Sequence, residues 1–189
     1  MGAHGQLSKA GDTFCARTEA PTSDAAKEFH TWRNQYSISE IKNKARQNHT
    51  RPTMAVLAAG GCIDTIAAIR AGFKPIWATE ICTIKQCMWR DLTGTTCHGD
   101  TFNQDYTQMQ QPDYLSSGQP CIDYARSGSE TGEDGETGWM YTAQTDVIMQ
   151  LQPSAIRLEI SDNAVIVHGG REVTQVVETL KQQYVITAD

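Results

Sequence analysis

Residues 53–61, Thr-Met-Ala-Val-Leu-Ala-Ala-Gly-Gly, run directly into residues 62–73, Cys-Ile-Asp-Thr-Ile-Ala-Ala-Ile-Arg-Ala-Gly-Phe, and the apolar pattern changes where the two glycines stand. Before Gly60 the run is short and apolar, as in a strand. After Gly61, residues Ile63, Ile66, Ala67 and Ile69 recur at helical spacing, and Gly72 offers a C-terminal cap. The stretch therefore reads as strand, glycine turn and helix, the opening unit of an α/β domain.

The same alternation continues downstream. KPIWATEI (74–81) reads as a strand ending in an acid, CTIKQCMWRDL (82–92) as a helix, and TTCHGD (95–100) as a short strand ending in Gly99-Asp100. PDYLSSG (112–118) is a fourth strand leading into Pro120-Cys121, and SETGEDGETG (129–138) a polar loop expected to be solvated and mobile. Trp139, Ala143, Val147, Ile148 and Leu151 then mark a helix, SAIRLEI (154–160) a fifth strand, and Val173, Val176, Val177 and Leu180 a last helix. YVITA (184–188) is expected to begin a sixth strand, and His168 is expected to be a loop residue without a partner. Such alternation predicts a mostly parallel, doubly wound α/β sheet.

Upstream, residues 1–22 are rich in Gly, Ser, Thr and Ala without an apolar period, which predicts a flexible lead. Residues 23–52 carry two short helical patterns. The first places Ala26, Phe29 and Trp32 or Arg33 on one side; the second begins at a capping box, Ser37-Ile38-Ser39-Glu40, and is stopped by Arg51-Pro52. The expected organisation is a lead over 1–22, a helical extension over 23–52 and one α/β domain over 53–189.

The 189 residues suffice for one well-buried core. No apolar run approaches the ~20 residues of a membrane-spanning helix, and the first residues lack a secretory apolar region, so the expected setting is cytoplasmic or nucleoid-associated, or nuclear in a eukaryote. The six cysteines, Cys15, Cys62, Cys82, Cys87, Cys97 and Cys121, form no CxxC pair, and the spacing of Cys82, Cys87, Cys97 and His98 matches no common zinc site. No metal is expected. The net charge of −6 is uneven: residues 1–52 carry eight Lys/Arg against five Asp/Glu, and residues 53–189 eight against seventeen. The body itself therefore lacks the excess of basic residues usual in a phosphate-binding surface.

Ligands of open α/β sheets bind beyond the carboxyl ends of the strands, where strand order reverses. Gly60 and Gly61, Glu80, Asp100, Cys121 and Glu159 all fall at such ends. Glycines let a ligand approach the backbone, and a carboxylate after the next strand can accept both ribose hydroxyls, a pattern that suits an adenosine-type cofactor. Gly-Gly can equally mark only a tight turn, Glu80 and Asp100 can be helix caps, Glu159 a surface carboxylate, and Cys121 a small buried residue.

In their order, Gly60-Gly61, Ala71-Gly72-Phe73, Glu80, Gly99-Asp100, Gly118-Gln119-Pro120-Cys121, Gly128, Gly138 and Arg157-Leu158-Glu159 resemble the first half of a C5-cytosine DNA methyltransferase, over about residues 54–185. The resemblance implies a Rossmann-like fold that binds S-adenosylmethionine. It implies Cys121 as the nucleophile that adds to carbon 6 of a flipped cytosine, and Glu159 as the group that holds N3 and the exocyclic amine. For the cofactor it implies Gly60 at the methionine end, Glu80 at the ribose, Asp100 at the adenine and Pro120 along the wall, with Gly61, Ile81, Thr101 and Met140 as further cofactor-binding residues. DNA is the implied partner, with RNA as the alternative.

The chain departs from the family pattern at four places. Val56 and Ala58 stand where an Asp and an aromatic precede the glycines, and Ile160-Ser161 stand where Asn-Val follows the Glu. Glu130, Glu133, Asp134 and Glu136 make the loop after Cys121 acidic. The sequence also stops before the family's arginine-bearing motif, base-reading domain and final cofactor motif. The expectation is a second subunit that supplies those parts, a fragment of a longer protein, or a non-catalytic module that keeps the fold.

Overall fold

A computed structural model describes residues 38–46 and 51–187; the expected lead, the first helical pattern and the last two residues lie outside this range. The first described helix, α1 (Ile38–Arg46), buries Ile41 and Ala45 and is fastened to the helix Thr83–Thr93 by Lys42, whose ammonium lies 2.6 Å from Asp91.

Five strands, β1 (Thr53–Leu57), β2 (Lys74–Thr79), β3 (Thr96–His98), β4 (Tyr114–Ser117) and β5 (Ala155–Leu158), form one sheet in the order β3-β2-β1-β4-β5, every pair parallel. β1 is central, and Met54, Ala55, Val56 and Leu57 are all buried, which is why its apolar residues run on without alternating. Pro75 sits inside β2 and brings no N–H to the ladder. There the β1–β2 register slips, from Met54 opposite Pro75 to Ala55 opposite Trp77, so Ile76 is left over as a bulge. The slip seats the Trp77 ring in the core against Tyr106, with its indole N–H donated to the Gln110 carbonyl at 2.7 Å. β4 is registered on β1 at its start, where Asp113 accepts the Thr53 backbone N–H and hydroxyl, both at 2.7 Å. Those two bonds hold the Asp113 carboxyl below the ordinary carboxylate range.

The crossover helices are α2 (Ile63–Ala71), α3 (Thr83–Thr93) and α4 (Trp139–Leu151), and a last helix, α5 (Arg171–Leu180), follows β5. Helix α1 touches both α2 and α3, and α4 touches α5. With right-handed crossovers, the change of direction between β1 and β4 puts the two sets on opposite faces of the sheet. The main core lies under α4 and α5, where Leu57 and Leu115 meet Tyr124, Tyr141, Ile148, Leu151, Val176 and Leu180. α2 ends as the sequence predicts: Gly72 adopts φ 106 and donates its N–H to the Ala68 and Ile69 carbonyls. Gly72→Ala should cost about 1 kcal/mol, read as a lower midpoint in urea, because a Cβ disfavours left-handed backbone.

The expected sixth strand is absent among the described residues. The chain turns after α5, Tyr184 donates its hydroxyl to the Pro153 carbonyl at 3.0 Å, and Val185 is 96% exposed. Short alternation forms a strand only beside a partner edge, and this segment is pinned to the loop preceding β5 instead.

Candidate active site

Strand order reverses between β1 and β4, and the loops leaving these two strands line the crevice at the carboxyl edge of the sheet. The β1 exit is a tight turn in which Ala58, Gly60 and Cys62 take positive φ of 54, 52 and 62°. Its N–H groups point at β2. Ala59 donates to the Thr79 carbonyl at 2.9 Å, and Gly60 donates to the Glu80 carboxylate at 2.8 Å. A Cβ placed on Gly61 would meet nothing within 4 Å, so the turn is open at that position.

Glu80 is buried and bridges two strand exits, with one oxygen on the Gly60 N–H and the other on the Cys82 N–H, each at 2.8 Å. Each carboxylate oxygen keeps a second lone-pair direction. Ile81, next in the chain, is 76% exposed. Asp100 after β3 caps its own loop by accepting the Phe102 N–H at 3.0 Å and is otherwise exposed. Thr101 turns inward, its hydroxyl 2.7 Å from that of Thr79 and its carbonyl accepting the buried Tyr106 hydroxyl. Phe102 then packs on Trp139 with ring centroids 4.8 Å apart, which carries the β3 exit to the start of α4, where half-buried Met140 lies.

Beyond β4 the chain divides its residues between inside and outside. Ser117 donates to Gln144 at 2.6 Å and accepts from the buried Gln119 at 3.2 Å, forming a polar chain beneath the loop that sequence reading did not find. Pro120 is exposed and Cys121 half-buried, whereas Cys62 and Cys97 are core residues. Burial, reinforced by the Glu80 carboxylate, pushes the Cys62 thiol up to about 11. Burial, with Cys62 and Glu80 nearby, pushes Cys97 up to about 12, so neither is a nucleophile at neutral pH. The Cys121 carbonyl accepts the N–H groups of Tyr124 and Ala125 at 2.9 and 2.8 Å, so the thiol opens a helical turn. Glu159 continues the β5 ladder by donating its N–H to the Ser117 carbonyl at 2.9 Å, and one carboxylate oxygen lies 3.1 Å from where a Gly118 Cβ would stand. The side chain of Glu159 is thus beside Gly118, three residues before Cys121.

The acidic loop is solvated at Ser129, Glu130, Thr131, Asp134 and Glu136, as its composition suggests, but it is tied down by hydrogen bonds. Asp123, buried two residues after Cys121, accepts from Ser129 at 2.6 Å, Thr131 at 3.2 Å and both the N–H and hydroxyl of Thr137 at 2.7 Å. The Ser129 and Thr137 hydroxyl bonds lead in holding its carboxyl down at about 2. A Cβ on Gly138 would lie 1.7 Å from the Gly132 carbonyl oxygen, so the loop closes only over glycine. Two of the loop acids are spent internally, Glu130 on Asn163 at 2.7 Å and Glu133 on Thr142 at 2.8 Å. His168 also differs from expectation: its Nδ1 lies 2.6 Å from the buried carboxylate of Glu172. The polar donors clustered at Ser129, Thr131 and Thr137 were the sequence signal for Asp123. Nothing local signals the His168–Glu172 pair beyond its i, i+4 spacing.

Among the described residues no group of three or more His, Cys, Asp or Glu is placed to hold a metal, and no helix is long and apolar enough to cross a membrane. The model of the C-5 cytosine-specific DNA methylase family matches residues 53–185. No curated protein sequence matches the chain. Among solved structures, the WlbA dehydrogenase of Chromobacterium violaceum, in complex with NADH and UDP-GlcNAcA, matches with a TM-score of 0.47 at 8% identity, over 72% of this chain and 34% of its own length. A ribosomal protein L11 methylase from Lactobacillus delbrueckii subsp. bulgaricus matches at 0.42 and 15% identity, over 79% of this chain and 74% of that one. The sugar N-methyltransferase KedS8 from Streptoalloteichus matches at 0.31 and 16% identity, over 65% and 49%. The chain thus spans about a third of the first of these structures, and the fold is defined by the strand order rather than by these likenesses.

Proposed function

Because the chain belongs to the C-5 cytosine-specific DNA methylase family, we propose that it transfers a methyl group to carbon 5 of cytosine in DNA through a thiolate adduct on Cys121. The observation that supports this reading is a half-buried thiol at the start of a turn in the loop after β4, a loop whose Gly118 lies beside the carboxylate of Glu159. The Cys121 sulfur forms a bond to carbon 6, which breaks the 5,6 double bond and moves electron density to carbon 5. Glu159 holds N3 and the exocyclic amine, offsetting the charge that develops on the ring as sulfur adds. After methylation, loss of the carbon 5 proton to a base restores the double bond, breaks the sulfur–carbon bond and returns the thiolate.

S-adenosylmethionine, when bound, supplies the electrophilic methyl group. The residues at the β1 and β2 exits fit it: Gly61 leaves open space, and each Glu80 oxygen has a lone pair for a ribose hydroxyl beyond its backbone N–H. Asp100 stands exposed for the adenine amine, and Ile81, Pro120 and Met140 offer apolar surface. Thr101 supports this pocket from beneath by its bond to Thr79. Glu80→Ala should weaken S-adenosylhomocysteine binding by about a hundredfold or more in calorimetry, the loss of roughly two hydrogen bonds to a charged group. Equal affinity in parent and variant would remove Glu80 from the pocket.

The proposed acceptor is DNA, with RNA as the alternative. Residues 53–189 are acidic in balance, so the phosphates are proposed to be met by a basic surface on a partner polypeptide.

A further inference from the structure

A buried carboxylate and the imidazole paired with it stand outside this chemistry. Glu172, in the first turn of α5, is 0% exposed. One of its oxygens takes His168 Nδ1 at 2.6 Å and the Arg171 guanidinium at 3.1 Å, while the other, Oε2, has no hydrogen-bond partner among the described residues. Burial pushes the Glu172 carboxyl up, and the His168 hydrogen bond with smaller backbone contributions more than offsets it, leaving it below the ordinary carboxylate range. An interior oxygen left unpaired costs stability, so its retention asks for a role in position. His168 itself holds a left-handed φ of 47°, followed by Gly169 at 65° and Gly170 at 73°. Non-glycine residues keep that conformation only where their surroundings enforce it.

The imidazole is pressed onto the loop that follows Cys121. A Cβ on Gly132 would stand 2.7 Å from both Cε1 and Nδ1 of the ring, so the bare Cα of Gly132 is what the ring contacts. Gly132 in turn donates its N–H to the Asp123 carbonyl at 2.8 Å, and the next residue, Tyr124, donates its N–H to the Cys121 carbonyl at 2.9 Å. Arg171 reaches the same loop through Glu133 at 3.9 Å, and His168 Nε2 lies 3.8 Å from Asp134. A continuous line of contacts therefore runs from α5 through His168, Gly132 and Asp123 to the thiol-bearing turn.

We infer that Glu172, acting through His168, is a positioning residue for Cys121: the pair clasps residues 128–138 against the start of α5 and so fixes the turn that presents the thiol. The name nucleophile for Cys121 rests on the reading above, and the clasp does not. The test is therefore independent of methyl transfer. The full chain is treated with iodoacetamide, alkylation is resolved cysteine by cysteine by mass spectrometry, and amide exchange is followed in parallel. His168→Ala is expected to raise Cys121 alkylation and exchange over 123–138 by about tenfold, with exposed Cys87 and buried Cys62 and Cys97 unchanged. His168→Asn, which tolerates left-handed backbone and keeps an N–H for the carboxylate, should stay within about twofold of the parent. An unchanged Cys121 rate in a folded His168→Ala, with Cys62 and Cys97 still protected, overturns the inference. If His168→Ala does not fold, Gly132→Ala attacks the same contact from the loop side. It must then give the same selective rise, and protection equal to the parent's sinks the proposal. Methyl transfer failing while the selective rise is seen would remove the cytosine chemistry and leave the clasp standing.

Discussion

Cys121→Ser should lower methyl transfer to cytosine by about 10⁴-fold or more while S-adenosylhomocysteine binding stays within about twofold of the parent. The asymmetry follows from where the residues stand. The proposed cofactor groups Gly60 and Glu80 are held by hydrogen bonds between the β1 and β2 exits, and none of those bonds involves Cys121. A serine hydroxyl occupies the same turn but is far less nucleophilic near neutral pH, so the loss falls on the chemical step. Parallel loss of cofactor binding and transfer would mean that residue 121 supports the pocket rather than attacks the base. Cofactor binding without any transfer in the parent protein would leave a binding module that keeps the fold.

Asp123→Ala should cost about 3 kcal/mol in urea unfolding, because it strands the donors of Ser129, Thr131 and Thr137 in a partly buried loop. The effect carries a pH signature. The folded carboxyl sits near 2, below its ordinary value of 3.8, so its stabilisation is complete above the ordinary value and is lost as pH falls through 2. The parent protein should therefore lose stability between about pH 4 and pH 2 by more than Asp123→Ala does. Coincident acid profiles for parent and variant would contradict the assignment of Asp123 as the hub of the loop.

The sequence was most legible where structure is set locally. The glycine turn after β1, the Gly72 cap and the order of strand-end acids follow from period and residue type, and the sheet places them where that reading expects. It was least legible where a residue's role depends on partners remote in the chain. Composition makes 129–138 look like a mobile acidic loop, yet Asp123 and Asn163 consume its polar groups. Asn163 reaches it from 33 positions away, a contact that no local pattern records. The bulge at Pro75 had a visible cause in the missing N–H, but its consequence, the seating of Trp77, needed the β1 register. The apparent strand at 184–188 failed for the converse reason: its alternation is real, and no edge receives it.

The central claim concerns one sulfur atom, and its most direct test is the mass of a covalent complex. The protein would be incubated with S-adenosylmethionine and a DNA duplex carrying 5-fluorocytosine, where the fluorine blocks the final elimination, and the modified residue identified by peptide mass spectrometry. The account predicts a nucleotide adduct on Cys121 that is lost in Cys121→Ser. An adduct carried instead by Cys82 or Cys87, or a Cys121 that stays unmodified while methyl transfer proceeds on ordinary cytosine, would contradict it.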